Sequence, residues 1–294
     1  MPSTSTTTQQ GFVSTDDGVE LFFRVLGGGS APALVCCNGV GVSTFFWEYV
    51  AERFSGERKV VLWDYRGHGR SSVPSDGQRL DIPRCARDLG TILCELQLDC
   101  PVLMGHSMGT QVALERYRQD PGNVGALVSI LGTYGHPLDT FNDLSASSVV
   151  FDLLLHLSDR FPRGVDTIGK FLVSLPGGFD VARSLKMVDG DRMSPHDLSQ
   201  YQRHLAYIGF PFFFKMVREI GEHTAEDLLA SIGVPMLVVA AERDAFTPPH
   251  LSRKMADLVP DSRLVWLDGA SHAGIVEQPE RINEALCSFL GELE

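Results

Sequence analysis

Residues 101–114 constrain the fold of this chain most strongly, because an apolar run changes into a helical pattern within a few residues. The turn between the two patterns has the form Gly-x-Ser-x-Gly, with Gly105 and Gly109 on either side of Ser107. Glycine at both positions lets a strand and the following helix approach closely, because no Cβ stands between them. A serine at such a turn exposes its Oγ beyond the strand, so Ser107 is the candidate nucleophile. The alternative is an ordinary turn serine.

Apolar runs alternate with helical patterns along most of the chain, which predicts an α/β fold with a mainly parallel, doubly wound sheet. After a β-prone segment at 19–25, which predicts an opening hairpin, the runs occupy 33–37, 60–63, 102–104, 124–131, 234–241 and 263–267. The helical patterns between and after them occupy 44–54, 82–96, 249–258 and 275–290. Ligands of such sheets bind beyond the carboxyl ends of the strands.

The alternation stops between residues 134 and 224, where helical patterns follow one another without a strand pattern. These patterns occupy 147–159, 165–173, 179–187, 195–208 and 212–220. A helical insertion in an α/β core is expected to cover the site as a cap. The prediction is a first core part at 1–133, a helical cap at 134–224 and a second core part at 225–294. Residues 1–10, rich in Ser, Thr and Gln, are expected to be a disordered tail.

Composition limits the classes of partner. The 294 residues carry a net charge of −12, which argues against a nucleic acid or an anionic membrane surface. No segment approaches the ~20 apolar residues that span a bilayer, and the first ten residues do not suggest export. The six cysteines include no C-x-x-C pair, and Cys36 and Cys37 lie in an apolar run, so a reducing cytoplasm is expected. The expected partner is a small-molecule substrate, and the oligomeric state stays open.

Two loops near the C-terminus supply the partners that a nucleophilic serine requires. A serine hydroxyl needs a base, and the base needs an acid that orients it. Asp244 and His272 each come just after an apolar run, so both are expected at the same edge of the sheet as Ser107. His272 is the candidate base. Asp244 is the candidate acid, with Glu242 and Asp268 as alternatives, although an aspartate there could also cap the next helix.

With these residues identified, the chain resembles the α/β-hydrolase superfamily. The resemblance rests on Asn38-Gly39-Val40-Gly41, Asp64-Tyr65-Arg66-Gly67-His68-Gly69-Arg70-Ser71, Gly105-His106-Ser107-Met108-Gly109, Glu242-Arg243-Asp244 before Thr247-Pro248, and Ser271-His272 before Glu277-Gln278-Pro279. It covers about residues 11–133 and 225–292. The order serine, aspartate, histidine is that of this superfamily. The resemblance implies an eight-stranded sheet flanked by helices, an inserted cap and no organic cofactor.

Two backbone amides are expected to form the oxyanion hole. The N–H of Met108 opens the helix after Ser107 and points at an anion that forms beside that serine. The family usually has His-Gly where this chain has Asn38-Gly39, and the resemblance implies that the amide after this glycine, Val40 N–H, is the second donor.

Other side chains are assigned supporting roles. His106 is expected to pack or to orient a loop, and Asp64, Arg66 and His68 to brace the loops around the site. The nine histidines show no spacing typical of zinc, so no metal is assigned.

Aromatic residues near two of the motifs are candidates for an apolar pocket. Phe45, Trp47 and Phe213 are the candidate substrate-binding residues, with plain core as the alternative for each.

The leading hypothesis is a serine hydrolase that cleaves a small to medium, partly apolar carboxylic ester, lactone or thioester through an acyl-enzyme on Ser107. A C–C bond hydrolase, a cofactor-free haloperoxidase or perhydrolase, and a lyase stay open with the same three residues. Epoxide hydrolases and haloalkane dehalogenases of the superfamily carry aspartate at this position, so Ser107 argues against both. From other classes, a ligand receptor with little turnover and an inactive interaction module stay open.

Overall fold

The computed structural model describes residues 7–74, 80–135, 146–175 and 193–293. In these residues eight strands form one sheet: β1 (Thr7–Ser14), β2 (Glu20–Leu26), β3 (Leu34–Cys37), β4 (Val60–Trp63), β5 (Val102–His106), β6 (Ala126–Ile130), β7 (Met236–Ala241) and β8 (Ser262–Leu267). Their order is β1-β2-β4-β3-β5-β6-β7-β8, and all neighbours from β4 to β8 run parallel. The predicted mainly parallel sheet is therefore confirmed.

The described ranges also contain eleven α-helices around this sheet. They are α1 (Glu48–Phe54), α2 (Ile82–Glu95), α3 (Met108–Gln119), α4 (Ala146–Arg160), α5 (Pro162–Ser174), α6 (Pro195–Ile208), α7 (Phe210–Glu222), α8 (Glu226–Leu229), α9 (Pro249–Leu258), α10 (Gly274–Glu277) and α11 (Pro279–Gly291). A 3₁₀ turn at Thr44–Trp47 leads into α1.

The central strands are buried on both faces, which explains why they are continuous apolar runs rather than alternating ones. Every residue of β3 to β7 is buried. Alternate residues of β3 face opposite sides: Val35 belongs to the core cluster that includes residues of α2 and α3, and Leu34 to the one that includes residues of α1 and α11. Helices on both sides thus hold the sheet, and the loops at its edge carry the chemistry.

The predicted disordered tail is wrong at its C-terminal end. Strand β1 already begins at Thr7, and Gln9 and Gln10 pair with Val25 and Arg24 of β2. A strand at the edge of a sheet needs only its backbone groups for pairing, so polar side chains do not prevent it. The predicted hairpin at 11–25 is present and longer than expected, and residues 1–6 lie outside the described residues.

The predicted final helix at 275–290 is also wrong, because two helices occupy this segment. Helix α10 ends at Glu277 and α11 begins at Pro279, with Gln278 between them at φ −136° and ψ 56°. Proline has no N–H to donate, and it disfavours helical angles at the residue before it. The break therefore follows from Pro279.

The segment predicted as a cap contains α4 to α7 among the described residues, whereas the helix predicted at 179–187 lies outside them. The two ends of the segment meet, because Gly135 and Thr224 form an antiparallel bridge and Ala225 N–H donates to the carbonyl of Tyr134 at 2.7 Å. The chain thus leaves and re-enters the core at one place. The division into core and cap stays a prediction, and we use "cap" for α4 to α7.

Candidate active site

Ser107 occupies a strained turn between β5 and α3. Its φ of +54° and ψ of −120° are a combination that residues with side chains rarely adopt. A Cβ on Gly105 would lie 2.3 Å from the carbonyl of Gly109, and a Cβ on Gly109 would lie 2.1 Å from the carbonyl oxygen of Cys37. Only glycine allows this approach of strand and helix, as the sequence motif predicts. The turn places Ser107 in the wall of a cavity.

The structure brings the three sequence-predicted residues together from three different loops. Nε2 of His272 lies 2.9 Å from Oγ of Ser107. Nδ1 of the same ring lies 3.0 and 2.9 Å from the two carboxylate oxygens of Asp244. An ionised carboxylate only accepts hydrogen bonds, so the proton of the neutral ring resides on Nδ1. Nε2 is then free to accept the hydroxyl proton of Ser107.

Hydrogen bonds within its own loop fix the carboxylate of Asp244, which is 4% exposed. The backbone N–H groups of Phe246 and Thr247 donate to Oδ1 at 2.9 and 2.8 Å. The hydroxyl of Thr247 lies 2.8 Å from Oδ2 and 2.9 Å from the carbonyl of Leu131. Of the alternative acids, Glu242 is exposed and accepts from the N–H of Gly269 at 2.8 Å. Sequence reasoning missed Thr247, although its place three residues after the acid was a usable signal.

Two buried residues hold the loop that carries His272. The carboxylate of Glu277 accepts from the N–H of Ser271 at 2.8 Å and from its hydroxyl. Nε2 of His106 lies 3.2 Å from the carbonyl of His272 and donates to it. Burial, with a smaller contribution from the charge of His272, lowers the pKa of His106 to about 3. His106 is therefore neutral and orients a loop, whereas the part of Glu277 was not foreseen.

The loop after β3 passes directly beside Ser107. A Cβ on Gly39 would lie 3.2 Å from Cβ of Ser107 and 2.9 Å from Nδ1 of His106. The next residue, Val40, lines the same cavity as Ser107. Met108, on the other side, is the first residue of α3, where N–H groups have no partner within the helix. The two proposed oxyanion donors thus flank the serine, and their role stays a prediction.

Asn38 begins this loop in place of the histidine that is usual in the family. Its side-chain N–H₂ donates to the carbonyl of Trp63 at the end of β4, at 2.6 Å. The asparagine is 1% exposed. It therefore ties the loop after β3 to the neighbouring strand.

The loop after β4 braces the loop after β3, as predicted for Asp64 and His68. Asp64 accepts from the N–H groups of Thr44 and Arg70 at 3.3 and 3.0 Å, and its burial raises its pKa to about 6. Nε2 of His68 lies 3.4 Å from the N–H of Gly41. Burial lowers the pKa of His68 to about 3, so its ring is neutral and accepts this bond.

Arg66 anchors the same loop through ion pairs with two aspartates, Asp17 and Asp88. Its side chain is fully buried and lies 2.6 and 2.8 Å from the oxygens of Asp88, and 3.0 and 3.3 Å from those of Asp17. Arg84 contacts the same two carboxylates at 3.1 and 2.9 Å. Burial of charge is tolerated where the partners are this close and hydrogen bonded. Arg66 thus supports the site without reaching it.

A cavity of about 110 Å³ adjoins Ser107 and His272. Core residues Phe46 and Phe246 form one side, and Met193, Tyr201 and Phe213 form the side toward the cap. None of the described residues that line the cavity has a carboxylate, ammonium or guanidinium group. Such a lining suits a compact, neutral, apolar group.

Of the three predicted pocket residues, Phe213 is among the described residues that line this cavity, whereas Phe45 and Trp47 are not, and a role of each in substrate binding stays a prediction. Side chains on a 3₁₀ turn point about 120° apart, so only one of three successive aromatic residues faces the site. That residue is Phe46, whose ring centroid lies 4.9 Å from that of His106. Trp47 is fully buried in the core.

Some predictions stay untested. The residues that the structure describes contain no group of three or more His, Cys, Asp or Glu side chains that could hold one metal ion. No helix among them is long and apolar enough to cross a bilayer. All six cysteines are free: Cys36, Cys37, Cys85, Cys94, Cys100 and Cys287. The absence of a metal and cofactor, the small-molecule partner and the cytoplasmic location remain predictions.

Comparisons with known proteins show which family the chain resembles in sequence. The model of the family described as "Alpha/beta hydrolase family" matches residues 34–285. A putative carbamate hydrolase, RutD from Agrobacterium fabrum, is 28% identical over 268 residues, which cover 88% of this chain and 93% of that relative. The bifunctional esterase/perhydrolase DCH from Acinetobacter calcoaceticus is 26% identical over 294 residues, with 95% and 99% covered.

Solved structures show the same fold. The enol-lactonase from Burkholderia xenovorans LB400 superposes with a TM-score of 0.79 at 19% sequence identity. The superposition covers 96% of this chain and 100% of that structure. The predicted α/β-hydrolase architecture is thereby confirmed.

Proposed function

Since the chain is a hydrolase of the α/β hydrolase family, we propose that it cleaves a small to medium, partly apolar carboxylic ester, or a lactone or thioester, through an acyl-enzyme on Ser107. One observation carries the proposal: Ser107, His272 and Asp244 form a continuous hydrogen-bonded chain in the wall of an apolar cavity. An alcohol, an imidazole and a carboxylate in this order are the groups that acyl transfer requires.

In the first half-reaction Nε2 of His272 takes the proton of Ser107 as Oγ attacks the acyl carbon. The carbonyl oxygen becomes an oxyanion, and the N–H groups of Val40 and Met108 donate to it. His272 then gives its proton to the departing alcohol, and the acyl group stays on Ser107. Asp244 keeps the proton on Nδ1 and stabilises the imidazolium during both transfers.

In the second half-reaction water takes the place of the alcohol. His272 removes a proton from this water, which attacks the acyl carbon, and a second oxyanion forms beside the same two amides. Its collapse releases the carboxylic acid and returns the proton to Ser107. One histidine thus acts as base and acid in turn.

The cavity supports a compact substrate. Its volume of about 110 Å³ is smaller than the ~150 Å³ of an engineered apolar cavity that binds benzene. We therefore infer that the group enclosed there is short or branched and uncharged. The relatives are named as a carbamate hydrolase and an esterase/perhydrolase, and a structural neighbour as an enol-lactonase, which supports an acyl carbonyl as the point of attack.

Perhydrolysis is the second candidate, because the relative named esterase/perhydrolase aligns over 95% of this chain. Hydrogen peroxide would attack the acyl carbon in place of water, and the product would be a peracid. The acyl-enzyme on Ser107 is common to both candidates.

A panel of substrates tests the proposal. Purified protein is assayed with p-nitrophenyl acetate, butyrate and octanoate, a γ-lactone and a phenyl carbamate, with and without hydrogen peroxide. We expect steady turnover of the short esters, and peracid only if the second candidate is correct. Labelling of Ser107 without sustained turnover would instead indicate a receptor. Ester turnover that persists in Ser107→Ala would overturn the proposal.

A further inference from the structure

Helix α6 of the cap places His204 between two loops of the core. Its Nδ1 lies 2.9 Å from the carbonyl oxygen of Gly41, after β3, and its Nε2 lies 3.0 Å from the N–H of Gly69, after β4. A carbonyl only accepts and an amide N–H only donates, so the proton of His204 resides on Nδ1 and Nε2 accepts. One neutral side chain of the cap thus binds both loops.

The surroundings of His204 keep it neutral. Burial lowers its pKa. The rings of His68, Phe45 and Tyr207 surround it, with centroids 5.9, 5.8 and 6.3 Å away, and the nearest of the titratable ones, His68, is itself uncharged. Near neutral pH, Nε2 of His204 is therefore unprotonated and can accept the hydrogen bond from the N–H of Gly69.

Two neighbouring rings of the cap fit against the same loops. A Cβ on Gly41 would lie 3.1 Å from the ring of Phe213, and one on Gly67 would lie 2.2 Å from the ring of Phe212. Both glycines have positive φ, +76° and +72°. The conformation of these loops and the seating of the cap rings therefore depend on each other.

The loop after β3 is held on both sides of Val40. On one side, Gly39 packs against Ser107 and leaves no room for a Cβ. On the other, Gly41 donates its N–H to His68 of the core and its carbonyl accepts from His204 of the cap. The bond from the Gly41 N–H to Nε2 of His68 is long, at 3.4 Å, and the bond from Nδ1 of His204 to the Gly41 carbonyl is 2.9 Å. The shorter of the two hydrogen bonds that hold Gly41 therefore comes from the cap.

We propose that His204 is a positioning residue that holds the oxyanion loop, residues 38–41, in place from the cap and thereby keeps the Val40 amide beside Ser107. The inference rests on the proposed function, because it assigns Val40 to the oxyanion hole. Loss of the two hydrogen bonds should weaken stabilisation of the oxyanion, which exists only in the transition state and the tetrahedral intermediate. Loss of these two bonds should therefore lower kcat and leave KM for a neutral ester almost unchanged.

A pair of nearly isosteric variants tests this role. Glutamine in His204→Gln supplies an N–H donor and a carbonyl acceptor, whereas methionine in His204→Met has similar length and no N–H donor. We expect His204→Met to lose roughly 10- to 100-fold in kcat for p-nitrophenyl acetate, with KM within about twofold. His204→Gln should recover most of the loss. His196→Gln, an exposed histidine of the same helix, is the control and should match the wild type.

The rate at which a p-nitrophenyl phosphonate modifies the serine provides a second measurement, because its P=O oxygen occupies the oxyanion site. It should fall in His204→Met and recover in His204→Gln, while thermal unfolding shows whether each variant is folded. If His204→Met does not fold, His204→Phe replaces it in the comparison. Equal kcat values for the Gln and Met variants, or a change in KM alone, would overturn the role of His204. A wild type that neither hydrolyses ester nor reacts with the phosphonate would overturn the proposed function, and the role of His204 with it.

Discussion

The core side and the cap side of the cavity are held in place by different forces. On the core side, hydrogen bonds of 2.8–3.0 Å fix Asp244 and His272, and glycine contacts fix the turn at Ser107. On the cap side, Met193, Tyr201 and Phe213 contribute mainly packing surface. Proton transfer and oxyanion binding depend on atoms placed to within a few tenths of an ångström, so directional bonds suit the first side. An apolar wall tolerates change.

The two regions also differ in how completely their apolar side chains are buried. The strands β3 to β7 are buried throughout, whereas the cap helices α4 and α5 leave Leu153, Ile168 and Phe171 exposed by 59%, 61% and 60%. The comparison predicts that changes to the core-side residues abolish the reaction, whereas changes to the apolar cap residues that line the cavity alter the choice of substrate. His204, which does not line the cavity and acts on a core loop, is the cap residue expected to affect kcat.

The largest loss is expected for His272→Ala. Without a base next to Ser107, kcat/KM for p-nitrophenyl acetate should fall by about 10⁴-fold or more. The control is His250→Ala, an exposed histidine of α9, which should keep wild-type activity. Comparable losses in the two variants would show that the effect is not specific to the site.

The next largest loss is expected for Asp244→Asn, which keeps the shape of the side chain and removes its charge. The imidazole would lose the partner that holds its proton on Nδ1, so kcat should fall by about 10³- to 10⁴-fold. Asp268→Asn, at the alternative acid, should remain active. The reverse result would assign the acid to residue 268.

The cap wall should respond differently. Phe213→Ala enlarges the cavity, so the ratio of kcat/KM for p-nitrophenyl octanoate to that for the acetate should rise about tenfold. The rate at which a phosphonate labels Ser107 in the same variant shows whether the serine keeps its reactivity. Phe210→Ala, on the same helix but packed on Gly169 of α5, is the control. An unchanged ratio would mean that Phe213 does not limit chain length.

The smallest effect on activity is expected at Asp17, which pairs with Arg66 away from the reacting groups. Hydrogen bonds from Arg66 hold the pKa of Asp17 below its ordinary value of 3.8. Its stabilisation is therefore fully present above that value and is lost as the pH falls toward the lowered pKa. Asp17→Asn should reduce the free energy of unfolding at pH 7 by about 1–2 kcal/mol. Between about pH 5 and pH 2, the free energy of unfolding of this variant should fall less steeply than that of the wild type.

Urea unfolding at several pH values measures this effect, and ester turnover should stay within about twofold of the wild type. Asp16→Asn is the neighbouring control. Asp16 also contacts Arg84, but its side chain is 77% exposed, so its replacement should cost less. Equal effects of the two substitutions would contradict the role assigned to burial.

The sheet and the three residues of the hydrogen-bonded chain were predictable, because they depend on rules that act over short stretches. Continuous apolar runs indicate buried parallel strands, and residues just after such runs lie at one edge. Asp244 and His272 could therefore be placed near Ser107 although they are far apart in the sequence.

Other features of the structure depend on geometry that a residue pattern does not carry. Which of Phe45, Phe46 and Trp47 faces the cavity depends on a 3₁₀ turn rather than an α-helix. The strand at Thr7 depends on backbone pairing that polar residues allow. His204 could not be foreseen, because its role depends on how α6 lies over two loops of the core. The break at Pro279 had a signal in the sequence that the helical pattern concealed.

The site of covalent modification tests the central claim most directly. The wild type is treated with a p-nitrophenyl phosphonate, the p-nitrophenol released per chain is counted, and the modified peptide is identified by mass spectrometry. The account predicts one equivalent of p-nitrophenol, modification of Ser107 and complete loss of ester hydrolysis. Modification of another residue, or ester hydrolysis that continues in fully modified protein, would contradict it.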